Sequence, residues 1–193
     1  MSFERDPGKL YPHDHILRYT LLPLIPKFVT PNSLTIFRFC GTPVVIFLLL
    51  RGFYGWGFAA FILLALTDAL DGSLARVRGQ ITRWGTIYDP IADKLLIGSV
   101  ILFIVIQHIN PIFGLVVIGL EALIIAGAYW QHRHGRFASA NIFGKTKMFL
   151  QVLGVALTLL AVWLGYDLFI PFSVGALSLA MLFAVISLFT YGF

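Results

Sequence analysis

Six apolar runs of about 18–22 residues leave this chain few ways to fold. They cover roughly residues 33–51, 55–77, 85–107, 111–131, 147–165 and 170–190. At about 1.5 Å of rise per residue, each run is long enough as a helix to cross the hydrocarbon layer of a bilayer. A helix is also the form that satisfies its own backbone polar groups there. Hydrophobic residues make up 59% of the 193 and charged residues only 12%, far from the balance of a soluble domain. The sequence therefore predicts an all-α integral membrane protein. Residues 1–193 form a single membrane domain, with a juxtamembrane segment at 1–32 and a six-helix core at 33–193.

The first 33 residues alternate charges and prolines and hold no apolar core followed by a cleavage site, so no secretory leader is predicted. Within them Ile16, Leu17, Leu21 and Leu24 fall on one helical face and Asp14 and Arg18 on the other. That pattern predicts an amphipathic helix lying in the membrane surface ahead of the six spans. Cys40, the single cysteine, sits in an apolar run and is expected to behave as a small buried hydrophobe.

Net charge is +5, yet the basic residues gather in the connections and make no face for nucleic acid. Arg5, Lys9, Arg18 and Lys27 precede the first run. Arg76, Arg78 and Arg83 surround the second connection, and Arg133, Arg136, Lys145 and Lys147 the fourth. The other side has Arg51 alone. This bias predicts a multi-pass protein of the cell (inner) membrane, with both termini and the basic connections facing the cytoplasm. Tyr54, Trp56, Trp163 and Tyr166 on one side, and Trp84, Tyr88, Tyr129 and Trp130 on the other, suit interfacial belts.

Four aspartates break the pattern. On a helix Asp68 and Asp71 stand about 60° apart, and Asp89 and Asp93 about 40° apart, so each pair faces one way. The second and third runs are antiparallel neighbours, which brings Asp68 level with Asp93 and Asp71 level with Asp89. The carboxylates then lie roughly 7–14 Å inside the cytoplasmic mouth. Each uncompensated aspartate at mid-span costs about 2.5–3.5 kcal/mol, so something must neutralise the set. Oxygen-only donors suit two hard divalent cations, Mg²⁺ or Mn²⁺. Ion pairing to Arg76, Arg78 and Lys94 is the purely structural alternative. Arg38, some five residues into the first run, needs a partner of its own and is assigned to supporting the site.

The spacing Asp68-x2-Asp71-Gly72-x2-Ala75-Arg76-x8-Gly85-x3-Asp89-x3-Asp93 resembles the signature of the CDP-alcohol phosphotransferases at all eight fixed residues. "TPNSLTIFRFCGTP" is similar to the start of that family's first span, with Pro31, Asn32, Leu34, Thr35 and Arg38 in place. "FGKTKMFLQ" resembles the start of the fifth span in phosphatidylglycerophosphate synthases. The resemblance implies attack of an alcohol hydroxyl on the lipid-linked phosphorus of CDP-diacylglycerol, with release of CMP. It implies Asp68, Asp71, Asp89 and Asp93 as ligands of two cations and Asp93 as general base. It also implies a homodimer among membrane lipids.

Other residues take roles beside these. Gly72 and Ala75, four positions on from the first two aspartates, leave room for a cytidine ring, and Arg76 offers a charged fork to the diphosphate. With Asp68 and Thr35 they form the expected CDP site. For Asn32 and Thr35 themselves, capping the first helix is favoured over touching the nucleotide. Gly85 marks the start of the third run, and Pro90 is expected near its first turn. Lys145 and Lys147, flanking the start of the fifth run, are assigned to an anionic acceptor together with Arg133 and Gln151.

Glycerol-3-phosphate is the first choice of acceptor. The resemblance to phosphatidylglycerophosphate synthases implies an Arg-Glu pair and a further arginine in the fourth run. Here Glu121 is kept but Leu120 and Ala128 stand in the arginine places, so phosphatidylglycerol and inositol phosphate stay open. A cation or proton transporter is the rival class. Against it, the acids cluster near one mouth, and the outer half offers only Glu121 and His108.

Overall fold

The computed structural model describes Tyr19, Leu22 and residues 25–26, 29–80, 82–133 and 142–191, without the side chains of 83, 86–87, 128–129, 131–133, 142 and 188–191. The amphipathic segment expected around Ile16, Leu17, Leu21 and Leu24 lies outside the described residues, as do His134 and Arg136. Every long element that is described is a helix: α1 Pro31–Leu50, α2 Tyr54–Arg78, α3 Arg83–Val100, α4 Pro111–Arg133, α5 Ile142–Leu164 and α6 Phe169–Tyr191. After α3 the chain continues through a π-helical turn, Ile101–Val105, and a last short turn, Ile106–His108.

Local chemistry sets the ends. Thr30 and Ser33 cap α1 reciprocally: the Ser33 amide donates to Thr30 Oγ1 at 3.2 Å and the Thr30 amide to Ser33 Oγ at 3.0 Å. Thr82 caps α3 through the Gly85 amide (2.9 Å), and Asn110 caps α4 through the Phe113 amide (3.1 Å). At the other ends Gly52 and Gly79 take φ of +75° and +63°. There the Phe53 amide reaches back to Leu48 O and the Gln80 amide to Ala75 O, both at 2.9 Å, a closure that needs the left-handed residue.

Four helices are long and apolar enough to cross a membrane: Pro31–Leu50, Tyr54–Arg78, Phe143–Leu164 and Phe169–Ser187. In α4 the apolar part is the shorter Pro111–Gly127. Asp89, Asp93 and Lys94 dilute α3. Three expectations need correcting. Pro90 lies two turns inside α3, because Thr82 starts that helix earlier than the apolar run suggested. Lys145 and Lys147 sit within α5, because lysine is a good helix former and the helix begins at Ile142. Cys40 is exposed on α1, since the apolar run presents several faces to lipid.

The described chain divides into two compact units, one from the residues up to Val44 with Ala60–Leu96, the other from Val45–Ala59 with Ile97 onward. Inside the first unit, Thr35, Arg38, Ser73, Asp71 and Asp93 are buried beside Phe61, Leu64, Leu74, Ala92 and Leu96. Within the second, Val100, Ile101, Ile104, Val105, Val117, Val155, Leu159 and Leu177 make an apolar interior. The most extensive helix contact in that unit joins α5 to α6.

Small residues bring α5 and α6 together. A Cβ added at Gly154 would stand 2.6 Å from Leu177 Cγ. Ser173 Oγ donates to Gly154 O at 2.7 Å, with Thr158 Oγ1 2.6 Å from Ser173 Oγ. In both units large apolar side chains point outward, among them Phe37, Val44 and Leu66 in the first and Leu123, Phe149 and Phe172 in the second, 46–67% exposed. Such exposure suits helices whose surroundings are lipid.

Candidate active site: an acidic helix pair backed by a buried arginine

The acidic centre lies wholly within the first unit. Asp68 and Asp71, one turn apart on α2, turn toward α1 and meet Arg38 there. Arg38 Nη1 is 2.8 Å from Asp68 Oδ1, and Arg38 Nη2 donates to Asp71 Oδ2 at 2.5 Å. The guanidinium is fully buried, Asp71 is 4% exposed and Asp68 28% exposed. Asp68 is thus the more accessible member, while Asp71 and Arg38 stand behind it. Arg38 Nε has no hydrogen-bond partner among the described residues.

Asp89, on α3, takes a hydrogen bond from Thr35 Oγ1. It lies close enough to Asp68 and Asp71 for its charge to act on both. Asp93, one turn further along α3, is buried at 5% exposure. Thr35 therefore links α1 to α3 as Arg38 links α1 to α2. Asn32 completes this seam: its Oδ1 accepts from Thr82 Oγ1 at 2.7 Å. A Cβ added at Gly85 would press on Asn32 Oδ1, Thr82 Oγ1 and Asp89 Oδ2 at 3.2–3.3 Å, so a glycine fits this polar nook best.

Gly72 is different. A Cβ there would meet only Arg76, at 3.5 Å from Nη1, which is ordinary contact. The fold leaves open the space in front of Gly72, with the Arg76 guanidinium over it. Ala75 is half-buried beside it. Arg76 Nη2 donates to Ser73 Oγ at 3.4 Å. Arg78 turns away from the acids and donates to backbone carbonyls, Val29 O and Ile25 O at 2.8 Å. It holds the chain before α1 and does not neutralise an aspartate. Arg38, which the sequence placed in a supporting role, does pair with Asp68 and Asp71.

Four carboxylates, with no sulfur or imidazole among them, are a donor set for a hard divalent cation. Asp68 and Asp71 already place one oxygen each on a single cationic group, so by donor chemistry this pair suits such an ion. As they stand, no three Asp, Glu, His or Cys side chains among the described residues are gathered into a ligand cluster.

In the second unit, Lys147 and Gln151 of α5 converge on Glu121 of α4. Lys147 Nζ donates to Glu121 Oε2 at 2.6 Å and Oε1 at 2.9 Å, and Gln151 Nε2 donates to Oε2 at 3.2 Å. Lys147 and Gln151 are each 5% exposed. Lys145, two residues earlier, is exposed, and Arg133 ends α4 with its side chain outside the described residues. Of the expected acceptor set, Lys147 and Gln151 are therefore the two that meet, on Glu121. Glu121 is the member missed from sequence, although a lone acid in an apolar helix was its signal.

Residues 28–190 match the sequence model described as CDP-alcohol phosphatidyltransferase. A CDP-diacylglycerol–glycerol-3-phosphate 3-phosphatidyltransferase of Bacillus subtilis (strain 168) is 30% identical over 189 residues, covering 85% of this chain and 93% of that protein. The enzyme of the same name in Aquifex aeolicus (strain VF5) is 31% identical, over 68% of this chain and 74% of that one. A cardiolipin synthase (CMP-forming) of Streptomyces coelicolor is 32% identical, over 68% of this chain and 65% of its own length.

Proposed function

The chain belongs to the CDP-alcohol phosphatidyltransferase family, and from that premise we propose that it transfers the phosphatidyl group of CDP-diacylglycerol to glycerol-3-phosphate and releases CMP. The observation that carries the reading is the convergence of Asp68 and Asp71 on the buried Arg38, with Asp89 nearby, on the eight-residue signature. Family membership removes the transporter alternative. The reading takes 1–193 as one membrane domain of six spans, with α3 and α4 crossing alongside the four longer apolar helices, and with the acidic mouth and both termini cytoplasmic.

Two divalent cations, Mg²⁺ or Mn²⁺, would be held by Asp68, Asp71, Asp89 and Asp93 and would supply charge stabilisation to the diphosphate and the displaced phosphate oxygen. The chain's own residues do the rest. Arg76 pairs with the diphosphate, and the open space at Gly72 and Ala75 takes the cytidine ring. Thr35 fixes the rotamer of Asp89 by donating to it. Asp93 accepts the proton of the acceptor hydroxyl as its oxygen bonds to the lipid-linked phosphorus. The bond from that phosphorus to the CMP oxygen breaks, and CMP leaves with the electron pair.

On the acceptor side, Lys147 and Gln151 are assigned to the acceptor's phosphate, with Lys145 and Arg133 adding positive charge around them. Glu121 holds Lys147 in place until that phosphate arrives. A second reading, phosphatidylglycerol as acceptor to give cardiolipin, is favoured by Leu120 and Ala128 in α4 and by the Streptomyces relative. The homodimer implied by the family resemblance is kept, with light scattering of the detergent-purified protein as its check.

The test is purified protein with CDP-diacylglycerol and Mg²⁺ or Mn²⁺, offered glycerol-3-phosphate, phosphatidylglycerol and inositol phosphate separately. Phosphatidylglycerophosphate identified by mass, with equimolar CMP, is the expected result. Cardiolipin alone would move the assignment to the second reading, and no CMP with any acceptor would end both.

A further inference from the structure

A buried arginine needs a reason. Arg38 is inaccessible to solvent, so it can serve neither as a topology anchor at the membrane surface nor as an exposed fork for a substrate phosphate. Its Nη2 donates to Asp71 and its Nη1 stands in ion-pair contact with Asp68, while neither Nη1 nor Nε has a hydrogen-bond partner among the described residues. An arginine placed only to tie helices together would be expected to spend all its donors. Here the guanidinium is spent on charge. Without it, two aspartates of one helix face, with Asp89 nearby, would repel one another inside the unit.

We propose that Arg38 is the resident cation of the acidic centre, a positioning residue that holds Asp68 and Asp71 together when no divalent ion is bound and whose neutralising work a bound ion takes over. The inference rests on the metal site proposed above. It goes further in giving the unloaded protein a stable form. Arg38 contacts one oxygen of each carboxylate from the buried side, and Asp68 keeps part of its surface accessible. An incoming ion thus finds ligands already ordered, and ordering them is no longer part of its binding. Arg38 and the ion are then partly redundant for stability, a signature that a packing residue lacks.

The experiment measures thermal midpoints of the full chain in detergent, in EDTA and in saturating Mn²⁺, with Mn²⁺ binding followed by electron paramagnetic resonance. In EDTA, Arg38→Gln should lower the midpoint by about 10 °C, because it strands buried carboxylates. Mn²⁺ should close more than half of that gap. Arg38→Lys should fall between the two proteins in EDTA. The double variant Arg38→Gln/Asp71→Asn, which removes a charge from each side, should regain much of the loss with no metal present.

An Arg38→Gln midpoint equal to wild type in EDTA overturns the proposal. So does a deficit that saturating Mn²⁺ leaves unchanged. Should Arg38→Gln fail to fold, Arg38→Lys decides by the same comparison. If wild type binds no Mn²⁺, the metal reading fails and takes this proposal with it. If Mn²⁺ binds and the deficit persists, the Arg38 proposal fails alone.

Discussion

The two units of this protein are built on opposite rules. The first is filled with polar groups: Arg38 against Asp68 and Asp71, Thr35 against Asp89, and Asn32 against Thr82. The second is closed mainly by apolar packing and close helix approach, with Gly154 under Leu177 and small polar contacts at Glu121 and at Thr158–Ser173. An apolar interior is the less demanding way to hold helices together, since each buried charge must be neutralised and hydrogen-bonded. A unit that buries Asp71 and Asp93 and half-buries Asp68 and Asp89 forgoes part of that stability. On the function proposed above, the reaction falls to the first unit and the acceptor contacts to the second.

The largest expected effect is Asp93→Asn. It should lower CMP release about 10²–10⁴-fold while leaving the thermal midpoint within a few degrees of wild type. A variant that unfolds instead would make Asp93 a structural member of the first unit. Next come two identical substitutions, one per unit. Gly154→Ala puts a methyl 2.6 Å from Leu177 Cγ, so it should destabilise by about 1–3 kcal/mol, with activity per folded molecule unchanged.

Gly72→Ala meets only Arg76 at 3.5 Å and should fold normally, yet raise the apparent KM for CDP-diacylglycerol several-fold. If the two alanines exchanged readouts, the division of labour would be wrong. Smaller again, Lys147→Ala should raise KM for the acceptor and spare that for CDP-diacylglycerol. It should also cost about 1–3 kcal/mol, because Glu121 keeps only Gln151. An unchanged acceptor KM would return Lys147 to a purely structural role. Thr35→Val should reduce turnover only modestly, about tenfold or less, by loosening Asp89.

Much of this was legible in the sequence where one period or one motif decides. The apolar runs located the helices: α2 at Tyr54–Arg78 answers an expected 55–77, and α6 at Phe169–Tyr191 an expected 170–190. The aspartate spacing put Asp68 and Asp71 on one face of α2, and both do meet Arg38. Contacts between helices far apart in sequence left no such trace. Arg38 reads as a lone arginine in an apolar run, and nothing local says that it reaches Asp71, 33 positions away.

The same holds for Thr35 and Asp89, and for Lys147 and Glu121, pairs that only the packing of whole helices brings together. The π turn at Ile101–Val105 is hidden because ILFIV is as good an α-helical stretch as a π-helical one on pattern alone. Lys145 and Lys147 were misplaced at the edge of α5 because charge was taken to end an apolar run, whereas backbone propensity carries the helix through both.

The claim that the polar unit holds the nucleotide can be tested without any assay of turnover. A photoactivatable CDP analogue, cross-linked to the detergent-purified protein and mapped by peptide mass, should label the stretches around Thr35 and Thr67–Asp93, and unmodified CDP should suppress the labelling. Competed labelling confined to α5 and α6, with none on α1, α2 or α3, would contradict the assignment of the chemistry to the acidic unit.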